Sequence, residues 1–206
     1  MPEHQDENAA IVSFGYEAGQ LKKLPRAGWL LAGVPSPESV ADHSFRVAVL
    51  AYAIAVQEGA NPERAATLGL FHDFPETRIG DVPSVGRPYV RTADPNKVIA
   101  DQAAALPAAL AEHITALIAE HESAKTPDAT LESRCSRDAD KLECLMQARE
   151  YQAQGNQLVQ PWIDSMIAAV TTRTGIALAK TAQDLSPSIW WDEFAAAFGT
   201  PRAAAD

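Results

Sequence analysis

The sequence predicts an all-α fold, and three observations predict it. Helix start and stop signals recur along the whole chain. Ser36-Pro37-Glu38, Asn61-Pro62-Glu63, Asp94-Pro95 and Thr126-Pro127-Asp128 each read as an N-cap followed by proline at the first helical position, while Gly59 and Gly155 read as helix ends. The stretches between these signals are rich in Ala, Leu, Glu and Gln, which lose little freedom in a helix. No run alternates apolar and polar residues with period two, and there is no Asn-Gly or Asp-Gly hairpin signal.

Taken in order, a first helix is expected over 8–23, preceded by a polar, acidic stretch from Met1 to Asn8 that is unlike a signal peptide. A second is expected over 37–58, capped by Ser36, and a third over 62–72. From Pro75 to Pro95 the chain carries Gly80, Pro83, Gly86 and Pro88, so this segment is expected to be largely loop. A long ordered loop in a helical domain is more often functional than filler. Further helices are expected over 95–122, 127–154 and 157–181, with a short one around 188–198. In that last segment Trp190, Trp191, Phe194 and Phe198 have helical spacing and read as a core or dimer-packing anchor. The tail after Gly199 is expected to fray. One domain over 8–185 is expected, with 186–206 as a short helix and tail packed on it or trailing from it.

Composition narrows the function. Of 206 residues, 47% are hydrophobic and 21% charged, ordinary globular values that argue against wholesale disorder. Seventeen basic against 27 acidic side chains give a net charge of -10, and basic residues gather only at Lys22-Lys23 with Arg26 nearby. Such a chain repels polymeric nucleic acid, so a phosphate-bearing partner is expected to be small and to enter a local positive pocket, one that can include a cation. The longest apolar stretch, Val47 to Val56, is about half of what a membrane span needs. Cys135 and Cys144 lie nine residues apart on one expected helix, too far for a disulfide within it, and fit a reduced, cytoplasmic protein.

Three short segments carry the chemistry: Glu38-Ser39-Val40-Ala41-Asp42-His43, Phe71-His72-Asp73-Phe74-Pro75-Glu76 and Asp138-Ala139-Asp140-Lys141-Leu142-Glu143. Imidazole and carboxylate together suit a borderline or hard divalent cation that must engage a phosphate oxygen and water at once. His72 and Asp73 are adjacent, so both can face one ion only where the backbone leaves regular helix, a break that Pro75 supplies. On periodicity, Asp138 rather than Asp140 is in register with Leu131, Cys135 and Leu142 and would point inward.

These segments resemble the HD superfamily of metal-dependent phosphohydrolases, and within it the 5'-deoxynucleotidase branch. The resemblance covers roughly residues 11 to 155. It runs through Leu21-Lys22-Lys23-Leu24-Pro25-Arg26-Ala27-Gly28-Trp29, Pro37-Glu38-Ser39-Val40-Ala41-Asp42-His43, His72-Asp73 with Glu76, Gly80-Asp81, and Asp140 with Glu143 and the Gln147-to-Tyr151 tail. It implies an HD-domain helical bundle and one divalent cation (Co, Mn, Mg, Fe, Ni or Zn not distinguished) on His43, His72, Asp73 and Asp140. The motif thus favours Asp140 over Asp138. It also implies Glu76 and Asp81 as catalytic carboxylates, with Arg26, Trp29 and Ser44 at the substrate, and a possible homodimer. Some members of the branch carry a further Arg where this chain has Ala32-Gly33, so substrate preference is expected to depart from theirs.

The resemblance leads first to hydrolysis of deoxy or modified nucleoside 5'-monophosphates. The alternatives are a triphosphohydrolase or phosphodiesterase of the same superfamily, or a catalytically silent nucleotide-binding module. The first two of these need extra basic residues, and a silent module has no need of both Glu76 and Asp81. Of the remaining groups, His4 falls in the polar terminus, and His113 and His121 lack the tight spacing of a second metal site. Lys141 and Glu143 read as a solvated pair or as residues behind the ligands.

Overall fold

Side-chain caps fix where several helices of this protein begin. A computed structural model describes residues 2–199, without the side chains of residues 2–6, 193 and 199. The expected tail after Gly199 and the side chain of His4 lie outside that description. Helix α1 (Pro2–Ala18) starts earlier than its spacing suggested and runs into a 3-10 turn over Gly19–Lys22. A short α2 (Ala27–Leu31) follows.

Helix α3 (Val40–Glu58) starts at Ser39 and not at Ser36. Ser39 Oγ accepts from the Asp42 amide (3.1 Å) while Asp42 Oδ2 accepts from the Ser39 amide (2.9 Å), a reciprocal box that satisfies two otherwise orphaned donors. Pro37 and Glu38 are kept out of the helix by pairing with the segment before α2. Arg26 donates to the Glu38 carbonyl (3.0 Å), Val40 donates to that of Leu24 (2.9 Å), and Pro25 and Ser39 form an isolated antiparallel bridge.

Helix α4 (Pro62–Phe71) is capped by Asn61 as expected, and α5 (Glu76–Ile79) is a single turn opening an otherwise irregular segment up to Asp94. The helix expected over 95–122 is two, α6 (Pro95–Ala103) and α7 (Ala108–Glu122). Pro107 has no amide hydrogen to continue the ladder and serves as the N-cap of the second. Helix α8 (Leu131–Ala153) is capped by Thr130, whose side chain accepts from the Ser133 amide, whereas Pro127 and Asp128 lie in a turn. The helix expected over 157–181 is also two, α9 (Gln160–Ala169) and α10 (Arg173–Asp184), and α11 (Ile189–Gly199) closes the described chain.

The architecture is all-α, with no strand among the described residues. Helices α3, α4 and α8 pack on one another around fully buried Val47, Ile54, Leu68, Leu142 and Leu145. Gly69 permits the close approach of α4 to α3, since a Cβ there would sit 3.0 Å from Val47 Cγ1 and 3.3 Å from the Ala48 backbone. A second cluster joins Phe74 to Ile99, Ile114 and Ile118 of α6 and α7, with Phe14 of α1 stacked on Phe74. The aromatic residues of α11 do not enter either core: Trp190 is 83% exposed and Phe198 74%. No helix among the described residues is long and apolar enough to cross a membrane.

Candidate metal centre and active site

The four expected donors arrive from three helices. His43 stands in the first turn of α3, Asp140 midway along α8, and His72 and Asp73 just past the end of α4. There the chain leaves the helix through a succession of tight turns, Phe74 to Phe71 and Glu76 to Asp73, so both side chains turn to the same side. His43 Nε2 lies 3.3 Å from Asp140 Oδ1 and 3.6 Å from Asp73 Oδ2. His72 Nε2 lies 3.1 Å from Asp73 Oδ2 and 4.0 Å from Asp140 Oδ1. Ligand atoms of His43, His72 and Asp73 all fall within 4.8 Å of one another.

Each imidazole is oriented from behind. His72 Nδ1 donates to the Gly69 carbonyl (2.7 Å), since a carbonyl can only accept, and its Nε2 lone pair is thereby left for the centre. His43 Nδ1 is hydrogen-bonded to the buried Glu143. Glu143 in turn takes two bonds from Arg46, from Nε (2.9 Å) and Nη2 (2.7 Å), and Arg46 is further held by Gln147 and Glu150. Glu143 and Lys141 are therefore not a solvated pair: Lys141 Nζ lies 2.7 Å from Asp140 Oδ2 instead.

The site is crowded with buried charges of both signs. Burial would raise the Asp73 carboxyl, but His72 and Arg26 hold it well below the usual range. Burial acts likewise on Asp140, and Lys141 and His43 hold it down. Burial and Arg26 oppose a charge on His43, yet Glu143 and Asp140 outweigh them and lift it to about 9. Glu76 goes the other way: burial, then Asp73 and Asp81, push its carboxyl up to about 10. Two buried polar atoms here have no hydrogen-bond partner, His43 Nε2 and Glu76 Oε2. Orphaned atoms of this kind are costly in a folded protein. With two imidazoles and two carboxylates facing each other, they fit a divalent cation better than a purely hydrogen-bonded core.

Beside the centre is a cavity of about 310 Å3 lined by Arg26, Asp81, Asp140 and Lys141 together with side chains of α9 and the 82–87 loop. Arg26 Nη1 is 3.5 Å from Asp73 Oδ2 and 4.0 Å from Asp81 Oδ1. Asp81 Oδ2 accepts from the Ala27 amide (2.7 Å), tying the loop after α5 to α2. A second opening, lined by His72, Asp73, Glu76, Arg87 and Lys125, lies across the same loop.

Not every expected site residue is there. Ser44 is 3% exposed and its hydroxyl donates to the Val40 carbonyl (2.9 Å), so it faces the helix interior and does not line the cavity. Trp29 borders the cavity but is 2% exposed, with Nε1 bonded to Glu38 Oε1 (2.9 Å), which makes it a supporting wall. Asp138, the inward-pointing residue by periodicity, is indeed fully buried, but against the start of α10: it accepts from the amides of Thr171 (3.0 Å) and Thr172 (2.6 Å).

Arg46 and Glu143 also serve the centre, beyond the expected donors. Both have a legible signal, each lying three residues after a donor and so on the same helical face as His43 and Asp140 respectively. His121 carries no such signal. Its ring centroid lies 5.0 Å from that of His72, its Nδ1 is 3.0 Å from Ser136 Oγ, and burial followed by His72 pushes it down to about 3. His113 is exposed and bonded to the Ala109 carbonyl, so the two histidines do not form a joint site.

The family model described as HD domain matches residues 18–182. Among curated proteins, the 5'-deoxynucleotidase hdd1 of Schizosaccharomyces pombe is 31% identical over 156 residues, spanning 73% of this chain and 76% of its own length. The 5'-deoxynucleotidase HDDC2 of Homo sapiens is 32% identical over 148 residues, 69% of each chain. Among solved structures, one from Magnetospirillum magnetotacticum described as a predicted metal-dependent phosphohydrolase aligns with a TM-score of 0.65 at 25% identity. That alignment covers 87% of this chain and 92% of its own.

Proposed function

The chain belongs to the HD-domain family, and from that premise we propose that it is a phosphomonoesterase acting on deoxy or modified nucleoside 5'-monophosphates, releasing nucleoside and phosphate. One observation carries the reading. Two imidazoles and two carboxylates face each other around a buried His43 Nε2 that has no hydrogen-bond partner, at the edge of a cavity that Arg26 enters. The relatives named 5'-deoxynucleotidase support the substrate class.

In this reading His43, His72, Asp73 and Asp140 hold one divalent cation, whose chemistry when bound is Lewis acidity toward a phosphoryl oxygen and toward water. Arg26, kept charged by Asp73 and Asp81 despite its burial, meets the phosphate with a fork of donors. Glu76 presents the orphaned Oε2 and takes the role of proton carrier. Its raised affinity for a proton comes from burial first and then from Asp73 and Asp81, and the charge of a bound cation would oppose those two aspartates and lower it. Asp81, fixed by the Ala27 amide, steadies Arg26 at Nη1, the nitrogen that also faces Asp73.

Free Cys135 and Cys144, both buried, suit a reducing compartment, and we place the protein in the cytoplasm. We also read it as a homodimer, with the exposed aromatic side chains of α11 and the stripe Phe45, Val49, Tyr52 and Val56 of α3 as the surface that a second copy covers. Light scattering at micromolar concentration tests the dimer. Phosphate release from a panel of nucleoside mono-, di- and triphosphates with Mg, Mn or Co tests the activity. Turnover of monophosphates alone is the expected result, and release from triphosphates alone would sink the reading.

A further inference from the structure

The cavity beside the metal centre has a wall that the motif residues do not supply. Its charged lining belongs to the centre: Arg26, Asp81, Asp140 and Lys141. Its apolar lining comes from elsewhere, from Trp162 and Met166 of α9 and from Val82, Pro83 and Val85 of the loop. Trp162 and Met166 are half-buried, so each keeps a face toward the cavity.

Trp162 is held from behind. Its ring lies 5.7 Å from that of Trp29, centroid to centroid, and Trp29 is fixed in turn by its bond to Glu38 and by an edge-on contact with Tyr151. The glycine between Arg26 and Trp29 has a part in this. A Cβ on Gly28 would lie 3.3 Å from Trp162 Nε1, so a larger residue would press on the indole. Of the polar groups on α9 that line the cavity, the Ser165 hydroxyl is already donated to the Trp162 carbonyl (3.1 Å). The wall therefore offers a flat π-face and a polarisable thioether with few free donors or acceptors.

We propose that Trp162, backed by Trp29 and flanked by Met166, is the nucleobase-stacking wall of the active site. This proposal rests on the nucleotidase reading. A phosphate among Arg26 and the metal ligands leaves the other end of a nucleoside monophosphate against this apolar surface. Stacking engages the π-face that every base has and reads no hydrogen-bonding edge, so the site takes purines and pyrimidines with little discrimination.

The test compares wild type, Trp162→Ala and Trp162→Phe on dAMP, dCMP and deoxyribose 5-phosphate, which keeps sugar and phosphoester but lacks the base. The expected result is a KM for both nucleotides raised by about 10- to 100-fold in Trp162→Ala, with most of it recovered in Trp162→Phe. Values of kcat/KM for deoxyribose 5-phosphate stay close to those of wild type. Equal losses on the nucleotides and on deoxyribose 5-phosphate, or no change on either, overturn the proposal. Should Trp162→Ala not fold, Met166→Ala carries the same comparison, with a rise of up to about ten-fold confined to nucleotides. A wild type that hydrolyses deoxyribose 5-phosphate and nucleotides with equal kcat/KM retains the phosphatase and removes the base subsite. A wild type inert to all three removes both.

Discussion

Glu143 is bonded to Nδ1 of His43 across a hundred residues of sequence, both side chains fully buried. A carboxylate in that position fixes which imidazole nitrogen faces the metal centre; against burial, His43 and then Arg46 keep it ionised, and Arg46 holds it in place. Glu143→Gln preserves the shape and removes the charge. We expect divalent-cation affinity to fall by about 10- to 100-fold, with kcat largely regained at saturating metal. Calorimetric titration with Mn, alongside activity against metal concentration, checks this; unchanged affinity would show that the contact is only structural.

Two aspartates two residues apart on α8 are expected to fail in opposite ways. Asp140→Asn should abolish metal binding and turnover while the fold persists, because it removes one of the two anionic donors that face His43 and His72. Asp138→Asn should leave metal binding intact and cost about 1–3 kcal/mol of stability, since the amides of Thr171 and Thr172 lose a charged acceptor. Urea unfolding of both variants, each with a metal titration, separates them.

Gly69 has two duties, close approach of α4 to α3 and a carbonyl that orients His72. A methyl group there meets Val47 Cγ1 at 3.0 Å and Ala48 backbone that cannot step aside. Gly69→Ala should destabilise by about 1–3 kcal/mol and weaken metal binding as well. A variant of wild-type stability and wild-type affinity would contradict this account of the α3–α4 contact.

Chelation is expected to lower the melting temperature. A cation present at about a hundred times its dissociation constant adds about 2.7 kcal/mol, roughly 5–10 °C for a chain of this size. Scanning calorimetry before and after EDTA, with Mn restored afterwards, measures the shift. No shift at all would argue against a buried resident metal.

His121 gives the metal-free protein an acid-sensitive side chain. Its folded pKa is depressed to about 3, by burial first and His72 second, while unfolded histidine titrates near 6.5. Below about pH 6.5 the unfolded chain binds a proton that the folded chain refuses, so this group lowers stability progressively as pH falls toward 3. His121→Gln should therefore flatten the urea midpoint against pH across that window and leave it little changed above neutrality. Parallel curves for the two proteins would refute the assignment.

The sequence by itself determined the helical class and the starts of α4 and α6. Asn61 and Asp94 cap within three residues of themselves, chemistry visible without a fold, whereas the start expected at Thr126 falls at Thr130. It also held the three segments whose side chains the fold gathers, and Pro107 marked a helix break that a longer reading overran. Tertiary pairing decided between Ser36 and Ser39 as the start of α3: the strand-like contact with Leu24 to Arg26 claims Pro37 and Glu38, and the local box of Ser39 with Asp42 takes over from there.

Only the tertiary structure could sort Asp138 from Asp140. Two residues along a helix turn the side chain by about 200°, so the pair faces opposite ways. Periodicity measures one inward direction, whereas α8 is covered by α3 and α4 on one side and by α9 and α10 on another. It has two inward directions, and each aspartate takes one: Asp140 toward His43, Asp138 toward the amides that break α9 from α10.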